Sequence, residues 1–147
     1  MNETAGTVRG GIHVFSVRVY YEDTDAGGVV YFANYLKFAE RARTELLRIL
    51  GIEHSRLAGD AGVVFVVRRC AVDFLRPARL DDRLEIHTGV SDIRGASVDL
   101  HQSVCRNGDE LVCMDVRIAC IKRADPGRPV RLPQGVRAAF ESWRDVR

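Results

Sequence analysis

The run VYYEDTDAGGVVYFANYLKFAERARTELLR, Val19 to Arg48, decides the reading of this chain. A strand-like stretch stops at the acidic turn Glu22-Asp23-Thr24-Asp25, and a flexible Ala26-Gly27-Gly28 follows. Then come an apolar triplet and a long amphipathic pattern. Tyr35, Phe38, Ala39, Ala42, Leu46, Ile49 and Leu50 recur at helical steps and form one apolar stripe. Arg41 and Glu45 are spaced as an i,i+4 ion pair on the outer face. Gly51 supplies the left-handed stop. So heavy an apolar load predicts a buried central helix. Glu22, Asp23 and Asp25 therefore sit just before a helix start, where backbone N–H groups lack partners. One carboxylate beside free amide donors is the minimum equipment for attacking or hydrolysing a carbonyl.

Outward from this stretch the pattern is β. Ile12 to Tyr21 alternates, with Phe15, Val17, Val19 and Tyr21 on one face. Residues 1–11 read as a flexible, Gly-containing arm, and 12–147 as a single domain. Val63 to Leu75 is a long strand rich in branched residues, ended or bent by Pro77. Its first five positions are apolar without a break, so both faces must be covered. Leu84, Ile86, Thr88 and Val90 alternate in a third strand. Arg94-Gly95 marks a turn before Val98, Leu100, Gln102 and Val104 in a fourth. Asn107-Gly108 is a strong two-residue hairpin signal. It sets Cys105 opposite Glu110 and Cys113 opposite Gln102. Val112, Met114, Val116, Ile118 and Cys120 complete a fifth strand. Asp125-Pro126-Gly127 and Pro129 read as a loop, and Pro133 to Trp143 as a short closing helix. Pattern alone predicts α+β, with one helix packed on one largely antiparallel sheet.

Composition narrows the function classes. Length, 46% hydrophobic and 29% charged residues describe an ordinary single domain. A net charge of +2 argues against a dedicated nucleic-acid binder. No apolar run approaches the roughly 18 residues of a membrane span, and the N-terminus has no secretory layout. Cys70, Cys105, Cys113 and Cys120 form no CxxC pair and read as reduced thiols, so a cytoplasmic protein is expected. His13, His54, His87 and His101 lack metal-ligand spacing, and no metal site is expected. There is no GxSxG elbow and no GxGxxG or Walker loop.

From spacing alone, Asp25 reads first as an N-cap or Asx-turn residue and second as a reacting carboxylate. Glu22 and Asp23 read as turn-forming or solvated. Asn34 is a structural hydrogen-bonder at the helix start, and Tyr35 belongs to the core. Arg68 interrupts an apolar strand, which points to a structural ion pair or a ligand. Asp81-Asp82-Arg83 reads as a solvated turn.

Three blocks resemble the hotdog-fold acyl-CoA thioesterases. They are EDTDAGGVVY at Glu22–Tyr31, FVVRRCAVDFLRPARLDDRLEI at Phe65–Ile86, and the turn Ile93–Ser97. The nearest type is the tol-pal-associated (YbgC-type) family, with the hydroxybenzoyl-CoA thioesterases as more distant relatives. The resemblance extends over about residues 12–125. It implies a hotdog fold, a five-stranded antiparallel sheet wrapped around a central long helix. It implies hydrolysis of acyl-CoA thioesters to free acid and coenzyme A, with Asp25 as nucleophile or general base. The backbone amides of Tyr31, Phe32 and Ala33 would polarise the thioester carbonyl. Gly27, Gly28, Arg68 and Arg94 would contact substrate, Arg94 through coenzyme A phosphates. No cofactor is implied beyond coenzyme A as part of the substrate. A homodimer or homotetramer with the site between subunits is implied as well. The chain departs from the family at one place: VVYFANY stands where the tol-pal type reads VVYHANY. Phe32 replaces a histidine proposed to assist catalysis. That departure keeps a second expectation open, a weakly active or non-catalytic hotdog protein that binds acyl-CoA or acyl-carrier protein.

Overall fold

The apolar stripe of the opening segment becomes α1, Phe32–Ile49, in the computed structural model, which describes residues 5–53 and 56–144 apart from the Asp60 side chain. Tyr35, Phe38, Ala39, Ala42, Leu46 and Leu47 are buried. Ile49 and Leu50 are only half-buried. The chain leaves the helix at Gly51, whose φ of +80° suits a residue without a Cβ. Glu45 pairs with Arg48 at 3.3 Å, not with Arg41. That pair is partly exposed and adds little stability.

The sheet is antiparallel, in the order β1-β2-β4-β5-β6-β3, with β7 on the far part of β6. The strands are β1 (Thr7–Arg9), β2 (Ile12–Arg18), β3 (Val63–Phe74), β4 (Arg83–Ile93), β5 (Ser97–Arg106), β6 (Asp109–Lys122) and β7 (Asp125–Pro129). Period-2 alternation turns Leu84, Ile86, Val90, Val98, Leu100, Val104, Val112, Met114, Val116, Ile118 and Cys120 inward against α1. The closing helix α2 (Gln134–Arg144) buries Val136, Phe140 and Trp143, with Phe140 edge-on to Phe65 at 6.4 Å.

Among the described residues seven strands form where five were expected. From residue 5 onward the supposed flexible arm is packed: Thr7–Arg9 pairs with β2, and the Ala5 carbonyl meets His13 Nε2 at 2.7 Å. His13 is fully buried, so it needs that partner. The Pro-containing segment expected to be a loop pairs with β6 as β7. Its prolines are tolerated because it lies at the periphery, where a missing N–H leaves no gap in the ladder. β2 stops at Arg18, and a 3-10 turn at Tyr21–Asp23 leaves Tyr21 exposed, not on the inner face.

The β5–β6 hairpin turns at Asn107-Gly108, both with positive φ, and Cys105 opposes Glu110 as expected. A bulge then shifts the register, so Cys113 faces Ser103, not Gln102. The extra residue is Leu111. Its carbonyl accepts the N–H groups of Leu75 (2.8 Å) and Arg76 (3.0 Å) and anchors the end of β3. Among the described residues β3 pairs only with β6, and it bulges between Val67 and Arg69. Val66, Val67, Phe74 and Leu75 are exposed along it. Among the described residues, the covering expected for both of its faces is absent at Val66 and Val67.

Candidate active site

The acidic turn contains two aspartates with opposite environments. Asp23 is buried, at 5% exposure. Its Oδ2 accepts the Tyr20 N–H at 2.8 Å, its Oδ1 accepts Asn34 Nδ2 at 2.9 Å, and its carbonyl accepts the Tyr31 N–H at 2.9 Å. One residue thus ties the end of β2 to the start of α1. Asp23 is turn-forming as expected, but it is not solvated. Asn34 fills its expected structural place.

Asp25 is exposed. Its Oδ1 accepts the Gly27 N–H at 2.8 Å, an Asx turn closed further by Gly28 N–H to the Asp25 carbonyl at 3.1 Å. Gly28 takes φ +77°, which lets the loop double back. Among the described residues, Asp25 Oδ2 has no hydrogen-bond partner. The start of α1 also has no side-chain cap. The Tyr31 N–H is taken by Asp23, so it does not join the expected group of donors. The Phe32 and Ala33 N–H groups have no acceptor among the described residues. Two amides at the positive end of α1 therefore lack acceptors among the described residues, and the loop that precedes them carries a carboxylate with one oxygen unpartnered there.

The segment after β3 holds this loop in place. Val30 N–H donates to the Ala78 carbonyl at 2.9 Å, and Val29 bridges to Arg79. Ala78 N–H donates to the Tyr35 hydroxyl at 2.9 Å. Burial pushes the Tyr35 phenol above its ordinary pKa, so the ring stays neutral. Asp82 contradicts its reading as a solvated residue: its Oδ2 accepts Arg79 N–H at 2.8 Å and Arg106 Nη1 at 2.7 Å. Burial pushes the Asp82 carboxyl up, but the Arg79 N–H and the Arg106 guanidinium more than offset this, and its pKa is lowered. Asp81 and Arg83 are exposed as expected.

Beside the free amides lies an apolar cleft of about 260 Å³, lined by Val30, Phe32, Tyr35, Phe74, Leu75, Arg76 and Pro77. Phe32 is 59% exposed and Phe74 50%. Their rings meet edge-on at 6.3 Å, and Tyr35 meets Phe74 at 5.9 Å. Sequence reasoning missed Phe74. The available signal was a large aromatic at a strand end, just before the Pro77 that turns the chain back toward the loop.

The two arginines lie elsewhere. Arg68 is exposed at the β3 bulge and has no acceptor among the described residues. Arg94 sits in the β4–β5 turn, with Nε 3.0 Å from Asp99 and 3.7 Å from Asp92. Arg117 also binds Asp99, at 2.8 and 3.2 Å. That bond and Arg94, against burial, hold the Asp99 carboxyl below its ordinary pKa. The turn lies beside Ser97, Ala119 and Val66, across the sheet. Val66 is eight residues along β3 from Phe74, about 26 Å. A single chain does not bring Arg94 to Asp25.

The model of the thioesterase-like superfamily matches residues 19–140, from the acidic loop through most of α2. This chain belongs to the thioesterase-like superfamily. Its hotdog fold, an antiparallel sheet around a long helix, is that of its relatives. The acyl-CoA thioesterase YbgC of Haemophilus influenzae is 48% identical over 128 residues, covering 86% of this chain and 92% of that one. The acyl-CoA thioester hydrolase YbgC of Escherichia coli O157:H7 is 44% identical over 128 residues, covering 85% and 92%. Among solved structures, a probable thioesterase from Bartonella henselae superposes with a TM-score of 0.78 at 43% identity, covering 83% of this chain and 99% of that one. Against this family background, the Asp25 loop and the α1 start are where this member combines a free carboxylate oxygen with free amides.

Proposed function

We propose that this protein hydrolyses acyl-CoA thioesters to the free acid and coenzyme A at the loop around Asp25. The observation that carries the reading is the exposed Asp25 carboxylate, fixed by Gly27 through one oxygen and free at the other, beside the unpartnered Phe32 and Ala33 amides. A thioester carbonyl oxygen set against those amides is stabilised as negative charge develops on it. Asp25 then takes a proton from water as the water oxygen adds to the carbonyl carbon. Collapse expels the coenzyme A thiolate, which recovers the proton. In the alternative route Asp25 Oδ2 adds to the carbon itself and the C–S bond breaks, releasing coenzyme A thiolate; water then hydrolyses the resulting anhydride to the free acid and the Asp25 carboxylate, and the proton released goes to the thiolate. Single turnover in ¹⁸O-water separates them, because only the anhydride route can leave label in Asp25. Phe32 brings no imidazole to either route, so the backbone amides do the polarising alone.

The site needs a second chain. The open edge and apolar exposure of β3 favour a homodimer, and pairs of dimers would make a homotetramer. Arg68 and Arg94, remote from Asp25 in their own chain, would then hold coenzyme A phosphates for a neighbouring site, while Gly27 and Gly28 let the substrate approach the backbone. Reduced cysteines suit a cytoplasmic enzyme whose product is a thiol. The test is a panel of acyl-CoAs with a thiol reagent. Thiol release on at least one substrate is expected. Tight acyl-CoA or acyl-carrier-protein binding with no release would favour the binding-protein reading that Phe32 keeps open.

A further inference from the structure

We infer that Gln102 is a positioning residue for the thioesterase site: it fixes α1 on the sheet and thereby sets where the Phe32 and Ala33 amides stand. The inference rests on the thioesterase reading and names a residue through which that site is held. Gln102 and Thr88 interrupt the apolar inward faces of β5 and β4, and both are fully buried. They oppose each other across the two strands, which lie in the middle of the sheet. A buried amide there needs partners. Gln102 Nε2 donates to the Ala39 carbonyl at 3.0 Å and to Thr88 Oγ1 at 3.0 Å, and its Oε1 accepts Arg43 Nη1 at 2.9 Å.

The helix dictates how that amide is turned. A backbone carbonyl only accepts and a guanidinium only donates, so the Gln102 nitrogen has to face Ala39 and its oxygen Arg43. Ala39 and Arg43 are one helical turn apart on the same face. Gln102 thus engages two successive turns of α1, and sliding the helix along the sheet would break both bonds. Ala39 and Ala42 are fully buried, and their small side chains leave the helix backbone within reach of the sheet. A carbonyl has two lone pairs, so Ala39 accepts Gln102 without giving up the helix's own bond. The apolar stripe cannot supply this register, because hydrophobic contact is not directional. Asn34 and Tyr35 are also bonded, but to Asp23 and Ala78, in the turn before α1 and the segment after β3. Gln102 ties the helix to the sheet itself. Phe32 lies seven residues before Ala39, about 10 Å along the helix axis. A rigid helix carries a shift at Ala39 undiminished to the Phe32 and Ala33 amides, and a displacement of about 1 Å at a reacting group can cost roughly 100-fold in rate.

The experiment measures kcat and KM on the best acyl-CoA of the panel for the wild type, Gln102→Leu, Gln102→Glu, Arg43→Met and Thr88→Val, with folding followed by circular dichroism and urea denaturation. Gln102→Leu removes both ties, and kcat is expected to fall by about tenfold or more with KM changed less than about twofold. Gln102→Glu keeps an acceptor for Arg43 but loses the donor to Ala39, and its kcat is expected to fall by about tenfold as well. Arg43→Met breaks the second tie from the half-buried side and is expected to lower kcat by about threefold. Thr88→Val is the structural control. It takes a buried hydrogen bond from the same place but leaves both bonds to α1, so its urea midpoint should fall while kcat stays within about twofold of wild type. If Gln102→Leu does not fold, Gln102→Glu and Arg43→Met decide. A kcat within about twofold of wild type in folded Gln102 variants, an equal loss in Thr88→Val, or a loss confined to KM would overturn the inference. Absence of hydrolysis on every thioester would instead overturn the reading on which it rests.

Discussion

The two ends of the sheet treat their charges differently. At the Arg94 end, Asp99 binds both Arg94 and Arg117, so its carboxylate is neutralised on the spot. At the other end, Asp23 and Asp82 are equally well bound, one by Tyr20 and Asn34 and the other by Arg79 and Arg106. Yet among the described residues Asp25 keeps one oxygen free, and two amides of α1 have no acceptor. Folding satisfies polar groups wherever geometry allows. The proposed function rests on this contrast: the loop around Asp25 is braced on both sides, while one oxygen of Asp25 and two amides of α1 stay open to solvent.

The largest break in this contrast is Asp25→Asn. The amide oxygen can still accept the Gly27 N–H, so stability should change by less than about 0.5 kcal/mol. Loss of the acid–base group should cut kcat/KM by roughly 100-fold or more. A loss below about threefold on the best substrate would remove Asp25 from the chemistry. Asp23→Ala should give the converse. It leaves the Tyr20 N–H and the Asn34 amide without their acceptor, a loss of about 1–3 kcal/mol readable by urea denaturation. Unchanged stability there would mean that Asp23 does not hold the loop.

Acid should weaken the bracing of the Asp25 end. Asp82 has a folded pKa below its ordinary value of 3.8. The unfolded state therefore binds the proton first. The stabilisation is fully present above that ordinary value and is lost as pH falls through the lower folded one. Arg106→Met should lower stability at neutral pH and flatten its decline below about pH 4; identical acid profiles for the two proteins would count against the ion pair. The smallest effect should come from the other end. Arg94→Ala should raise KM for an acyl-CoA with kcat nearly unchanged, and less so on a pantetheine thioester that lacks the nucleotide. Equal effects on both substrates would exclude a phosphate contact.

The local features were legible from the residues. The helical stripe, the Gly51 stop, the Asn107-Gly108 turn and the strand alternation each depend on neighbours a few positions apart, which sequence order displays directly. The Asx-turn reading of Asp25 was equally local, and the structure contains it. What was misread depends on distant partners. Asp82 looked solvated because Arg106 lies on another strand. The register beyond Val104 moved by one because Leu111 is drawn toward the end of β3. β1 and β7 looked like arm and loop because their strand character comes from pairing, not from their own composition.

By itself, then, the sequence determined the α+β class, the central helix, and a carboxylate in a Gly-rich turn at that helix's start, because periodicity, turn chemistry and helix ends are short-range properties. Only the tertiary structure decided that Asp23 is buried while Asp25 is open, that Tyr31 surrenders its amide while Phe32 and Ala33 keep theirs, and that Phe74 closes a cleft against Phe32. Each of those depends on which groups the folded backbone brings within about 3–6 Å, and sequence order places no limit on how far apart along the chain such groups lie.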